Sequence, residues 1–160
     1  MFRKILVVCL GNICRSPVGE GLLKNHFETI GASGIEVSSA GITAMVNAPA
    51  SAHSVAVMSQ KNIDISGHVA RQLTHDMMVQ NDLILVMELD QKKHLEQVFT
   101  FARGKVHLIG RFQSDEQKRE IEDPYLKPLA AFELMATQME SCVNDWIKQF
   151  FSAEKLKIRN

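Results

Sequence analysis

The sequence predicts a three-layer, doubly wound α/β domain built on a central four-stranded parallel sheet. Two observations predict it. Short β-branched apolar runs, at residues 5–9 and 83–87, have the unbroken hydrophobicity of strands covered on both faces. Between such runs lie stretches whose apolar residues recur at helical spacing, and strands alternating with helices imply right-handed crossovers between parallel neighbours. A chain of 160 residues suits one domain with a sizeable core. That domain is expected over residues 1–152, followed by a frayed tail at 153–160.

The elements follow in order. The run ILVVC at residues 5–9 is the first strand. Ser16 is placed to cap a helix and Pro17 to open it, and Val18, Leu22, Leu23, Phe27 and Ile30 form its apolar stripe before Gly31 stops it. Residues 35–39 read as a second strand. Residues 49–60 read as a helix with a weaker stripe of Ala52, Val55, Ala56 and Ser59. The third strand, inside NDLILVMELD, precedes a short helix at 91–99 and a fourth strand at 105–109. Polar residues 113–122 show no period and read as a loop. Phe132, Met135, Met139, Cys142, Trp146 and Phe150 mark one face of a long last helix.

Composition narrows the function classes. The 18 basic and 18 acidic side chains cancel, which argues against nucleic acid as a partner. Three cysteines, an odd number, argue against a disulfide framework and for a reducing, cytoplasmic setting. Arg3 and Lys4 before ILVVCL imitate a signal peptide, but the apolar run is too short and polar GNICRS follows it. No window approaches the length of a membrane span, so no membrane insertion is expected.

The chemistry is concentrated in VVCLGNICRSP, residues 7–17. This segment leaves the first strand and enters the first helix, where open α/β sheets bind ligands. Gly11 and Asn12 tolerate the left-handed backbone that turns successive N–H groups into an anion nest. The following helix adds the positive end of its dipole, and Arg15 a planar fork that matches two phosphate oxygens. Thiols near helix N-termini and cations have depressed pKa values, which predicts a thiolate at Cys9 beneath a bound phosphate. The pattern therefore points to covalent phosphoryl transfer, with Cys9 attacking and Arg15 holding the equatorial charge. A Walker-type loop is excluded, since no GxxxxGK[ST] is present. Cys9 and Cys14 lack a second ligand pair at zinc-finger spacing, so no metal or other cofactor is expected.

These residues resemble the low-molecular-weight protein tyrosine phosphatases, whose extended loop reads CxGNxCRSP. The resemblance continues through VSSAG (37–41), SGHVARQL (66–73), DLILVME (82–88) and EDPY (122–125), and stops at about Ser152. It implies that Cys9 is the nucleophile, Arg15 the phosphate clamp and Asp123 the general acid, later the base toward water. Leu10, Gly11, Asn12, Ile13, Cys14, Arg15 and Ser16 would form the phosphate-binding loop. Asn12, Ser16, Ser39 and His68 match the hydrogen-bond network behind that loop. Cys14 matches a second loop cysteine that in much of the family forms a reversible disulfide with the nucleophile. Cys142, by contrast, falls on the apolar face of the last helix and reads as packing.

Leu10, Met45 and Tyr125 would wall the substrate slot, Tyr125 by stacking on a phosphotyrosine ring. Asp-Pro-Tyr followed by Leu126 and Lys127 is similar to the bacterial subgroup encoded beside capsule and exopolysaccharide tyrosine kinases, though Pro128 departs from its Ser. The resemblance thus implies a monomeric enzyme whose partner is a phosphotyrosine protein, a tyrosine autokinase of polysaccharide export. A rival from another class is a thiol-dependent arsenate reductase on the same fold. That activity needs two further relay cysteines on a mobile segment, and residues 73–103 contain none.

Overall fold

In the computed structural model, which describes residues 2–157, four strands hydrogen-bond in the order β2-β1-β3-β4, with every neighbouring pair parallel. They are β1 (Lys4–Cys9), β2 (Glu36–Gly41), β3 (Leu83–Val86) and β4 (Val106–Leu108). The helices are α1 (Arg15–Thr29), α2 (Ala52–Ser59), α3 (His75–Gln80), α4 (Leu89–Val98), α5 (Leu129–Trp146) and α6 (Ala153–Lys157). β1 is the switch point: the chain goes to one side of it for β2 and to the other for β3, so the loop after β1 opens into a crevice.

The period of two along β1 sorts its side chains between two cores. Ile5, Val7 and Cys9 face the cluster built with Val18, Leu22 and Leu23 of α1 and with Met135 and Met139 of α5. Leu6 and Val8 face the other, with Met78 of α3, Leu95 of α4 and Ala102. Each fully buried aliphatic side chain contributes about 1.5–3 kcal/mol. Because both faces are covered, the strand reads as one apolar run without alternation.

Several boundaries differ from those the sequence predicts. α1 begins at Arg15, not Pro17, and Ser16 is not its cap, because the Ser16 hydroxyl is taken by Cys9 and Asn12. α2 starts only at Ala52, after Ser51 accepts from Ser54 N at 3.2 Å. α3 is too short to show a period; Thr74 caps it and Met78 alone is buried. A 3-10 turn, Glu116–Lys118, interrupts the polar loop with Asp115 as its cap. After Trp146 the chain widens into a π-turn, Ile147–Phe151, which buries Phe151 and leaves Phe150 only partly covered. Instead of fraying from residue 153, the tail forms α6, held by Leu156 N to Ser152 O and by Lys155 Nζ on the Lys148 and Gln149 carbonyls. Residues 158–160 of that tail lie outside the described residues.

Two close approaches fix the loops around the end of β1. A Cβ on Gly41 would lie 2.7 Å from Leu10 O, and one on Gly110 would lie 2.2 Å from Arg119 O. The second contact holds the segment that runs on to Ile121, whose N–H bonds Met87 O at 3.0 Å. Gly110→Ala is therefore expected to destabilise the fold by about 1–3 kcal/mol or more through overpacking. Gly67→Ala, where an added Cβ meets nothing, should change stability by no more than about 0.5 kcal/mol. Urea unfolding of the two variants compares them directly.

Candidate active site

Six consecutive carbonyl groups of the loop after β1 point outward, and each has a donor. Ile42 N bonds Cys9 O at 3.0 Å, Thr43 N bonds Leu10 O at 2.9 Å, and Met45 N bonds Gly11 O at 3.0 Å. His68 Nε2 meets Asn12 O at 2.7 Å, Ser51 N bonds Ile13 O at 2.8 Å, and Ser54 Oγ donates to Cys14 O at 3.0 Å. A trans peptide holds its N–H opposite its C=O, so the amides following these carbonyls turn the other way. Among the described residues, none of the N–H groups of Leu10 through Cys14 donates to a protein acceptor. Together with the start of α1 they make a concave surface of positive polarity.

Asn12 holds the curl. It has φ of 57°, in the left-handed region, and is fully buried. Its amide nitrogen donates to Ser16 Oγ at 2.8 Å and Ser39 Oγ at 2.9 Å, while its Oδ1 accepts from Arg71 N at 2.9 Å. Ser39 donates onward to Glu20, and Arg71 Nε bonds Ser39 O at 2.8 Å. His68, a surface residue on sequence grounds alone, has a side chain only 10% exposed, wedged between Asn12 O and Glu20. Ser16 Oγ also lies 3.0 Å from Cys9 Sγ, which places a hydroxyl beside the sulfur.

Arg15 is buried under the loop at 2% exposure. Its Nη1 pairs with Glu88 and donates to Ile121 O at 2.8 Å, and its Nη2 lies 3.3 Å from Asp123 Oδ2. Its Nε has no hydrogen-bond partner, one of two such buried side-chain nitrogens among the described residues. A buried guanidinium N–H without an acceptor is costly unless a ligand oxygen supplies one. Asp123 is braced by its own turn, since Tyr125 N donates to Oδ1 at 3.1 Å. The turn closes with Lys127 N on Pro124 O at 2.9 Å and places Leu126 at φ of 63°, 86% exposed. Pro128 stands at the N-cap of α5, where no side chain caps the helix and its fixed φ sets the entry of the chain.

These groups surround a cleft of ≈ 200 Å³ lined by Cys9, Leu10, Gly11, Ile13, Cys14, Arg15, Thr43, Met45, Asp123 and Tyr125. Two larger hollows, of ≈ 520 and ≈ 820 Å³, run along α1 and β2 and contain no thiol. Leu10, Met45 and Tyr125 stand half exposed at the mouth of the cleft, while Asn12, Ser16, Ser39 and His68 stand behind the loop. Sequence reasoning assigned no role to Glu88, Glu20 or Arg71. Glu88 and Arg71 fall inside the quoted segments DLILVME and SGHVARQL, which is the signal that could have found them.

Burial keeps two of the three thiols, Cys14 and Cys142, in the neutral form. Burial pushes the Cys14 thiol up to about 11, a hydrogen bond with Ser51 opposing and the charges of Asp123 and Cys9 adding to the rise. Burial likewise pushes Cys142, on the core face of α5, up to about 12. Both are therefore protonated at neutral pH.

Comparison with known proteins gives one consistent result. A family profile described as low molecular weight phosphotyrosine protein phosphatase matches residues 4–156. The Salmonella typhimurium protein-tyrosine-phosphatase Wzb is 40% identical over 160 residues, covering 98% of this chain and 99% of that one. The Vibrio vulnificus Wzb structure in complex with benzylphosphonate superposes with a TM-score of 0.83 at 36% identity, over 93% of this chain and 99% of that one. The YwlE arginine phosphatase from Geobacillus stearothermophilus superposes at 0.81 with 29% identity, over 91% of each chain.

At neutral pH, iodoacetate should carboxymethylate one cysteine, Cys9, with inorganic phosphate slowing the reaction; mass spectrometry of the digest reads the position. Asn12→Ala should weaken phosphate binding at least tenfold in calorimetry, since alanine supports neither the positive φ nor the three hydrogen bonds.

Proposed function

Because this chain belongs to the low molecular weight phosphotyrosine protein phosphatase family and is a protein-tyrosine-phosphatase of the Wzb type, we propose that it works through a phosphocysteine on Cys9. The phosphate of the substrate sits in the loop with its oxygens on the inward N–H groups and on Nε and Nη2 of Arg15. The Cys9 thiolate attacks phosphorus in line with the tyrosyl oxygen. As the P–O bond breaks, Asp123 gives its proton to the departing phenolate. Water then attacks the phosphocysteine, Asp123 takes the proton back, and the P–S bond breaks to release inorganic phosphate. The Ser16 hydroxyl, 3.0 Å from Sγ, stabilises the sulfur as a leaving thiolate.

The single observation that carries this reading is the row of six outward carbonyls above a buried arginine whose Nε lacks an acceptor. An aromatic leaving group is supported by the walls Leu10, Ile13, Met45 and Tyr125. Those apolar side chains suit a phenyl ring and offer little to the short polar stem of phosphoserine. Phosphoarginine would bring a cationic guanidinium against those same apolar walls, with Asp123 as the one carboxylate in the lining. Arsenate reduction finds little support, because Cys142 is fully buried on α5 and no third thiol reaches the cleft.

The proposed partner is a phosphorylated tyrosine autokinase of polysaccharide export, supported by the Wzb-type relatives, and the proposed setting is the cytoplasm. No helix among the described residues is long and apolar enough to cross a membrane. The reading needs no metal or cofactor. Cys14 is the proposed redox partner. If a peroxide converts Cys9 to a sulfenic acid, the Cys14 thiol displaces water from it and forms a disulfide.

Cys9→Ser should bind a phosphotyrosine peptide and fail to turn it over; substantial turnover would remove Cys9 from the nucleophile role. Asp123→Ala should slow phenyl phosphate far more than nitrophenyl phosphate, by about 10²–10⁴-fold for the poorer leaving group. Equal losses on the two substrates would assign the proton to another group. Dialysis against EDTA should leave nitrophenyl phosphate hydrolysis unchanged, and a loss restored by added metal would defeat the mechanism.

A further inference from the structure

A second concave site lies at the free edge of the sheet. It is a cleft of ≈ 390 Å³ lined by Leu89, Lys92, His107, Leu108, Arg111 and Arg119. Three of the six lining residues, Lys92, Arg111 and Arg119, are cationic and none is acidic, in a chain whose charges balance overall. Lys92 pairs with Glu96 and donates to Val106 O, and Arg119 pairs with Glu116 at 3.2 Å. Among the described residues, no carboxylate pairs with Arg111. Its guanidinium is instead aimed by neighbours: it lies 5.5 Å over the Phe112 ring, and Nη1 donates to His107 Nδ1 at 2.8 Å. His107 Nε2 donates to Gly104 O at 3.1 Å, which fixes Nδ1 as the acceptor and the ring as neutral. Burial first, then Arg111 and Lys92, hold the His107 pKa below the usual histidine range. That cost of crowding is one an oxyanion in the cleft would relieve.

The cleft is tied to the catalytic site. Leu89 follows Glu88, which grips Arg15, and Arg119 precedes Asp123 by four positions. Leu108 stands opposite Val86, and Val86 opposite Val8, the residue before Cys9. Two strand spacings, about 10 Å, therefore separate β4 from β1 across the sheet. An extended chain leaving the phosphotyrosine slot spans that distance with roughly three residues, and a longer route around the edge with up to about six.

We propose that this cleft is an anion-docking site for the substrate protein, taking a phosphoryl group or paired carboxylates three to six residues from the phosphotyrosine held at Cys9. The inference rests on the phosphatase reading above. Two guanidinium groups and an ammonium suit an oxyanion of this kind, and Arg111 supplies the fork that no protein carboxylate occupies. Docking at a second point lowers the dissociation of the substrate without altering the chemical step.

The test uses the wild-type chain and three phosphotyrosine peptides that differ only three to six residues away: a glutamine flank, a glutamate flank and a phosphoserine flank. At low ionic strength the glutamate and phosphoserine peptides should show KM values about five- to tenfold below the glutamine peptide, with kcat unchanged. The advantage should shrink as salt is raised. Arg111→Gln and Lys92→Gln should each reduce that preference while leaving nitrophenyl phosphate hydrolysis at the wild-type rate, and the double variant should abolish it. In NMR the His107 ring signals should shift with the phosphoserine flank peptide alone, without its phosphotyrosine. Equal KM values for all three peptides, or a preference that survives the double variant, would overturn the inference. No turnover of any of the three would instead overturn the phosphatase reading on which it rests.

Discussion

The constraint on which the rest of the molecule depends is the outward locking of six successive carbonyls, from Cys9 to Cys14. A peptide unit cannot turn one of its dipoles without turning the other. Fixing the oxygens therefore fixes the amides, and it does so before any ligand arrives. Electrostatic preorganisation of this kind costs no rearrangement when charge develops on the bound group. Asn12 is the one residue of the curl that must leave ordinary backbone space, and its three side-chain hydrogen bonds hold it there.

Arg15 shows the same economy of motion. A free arginine has many rotamers, but this one is fixed by Glu88, Ile121 O and Asp123, groups drawn from two later parts of the chain. Its Nε is left without a protein partner. The two carboxylates lower the local positive charge. In the mechanism proposed above, the pair of Arg15 and Asp123 would join phosphate binding to proton transfer.

Much of this was legible in the sequence, and the reasons are specific. β1 and β3 could be read because burial on both faces leaves no alternation to confuse with a helix. Cys9, Arg15 and Asn12 could be read because they sit within one short loop, where spacing in sequence is spacing in space; Gly11, expected to share the left-handed backbone, does not have a positive φ. α3 could not, since six residues carry less than two helical turns. Spacing alone makes Ser16 a local cap, the common use of a serine there, and only the resemblance puts it in the network behind the loop, where its hydroxyl meets Cys9 and Asn12. Glu88, Glu20 and Arg71 act across 73, 19 and 59 residues of chain, and no local pattern announces a contact at that separation. Asp123 lies farther still in sequence and was reached through resemblance rather than through spacing.

The curl is not held by its own residues. Its donors come from residues 42–45, 51–54 and 68–71, so three separate stretches must have docked before the curl is fully held. Closing such distant contacts is slow compared with forming a helix. Catalytic competence is therefore among the last properties this chain acquires as it folds, and among the first it loses on partial opening. A half-assembled molecule would carry a cysteine but no trap for phosphate. Conversely, phosphate held in the curl as proposed would oppose its opening, and its binding would report on the integrity of elements it never touches.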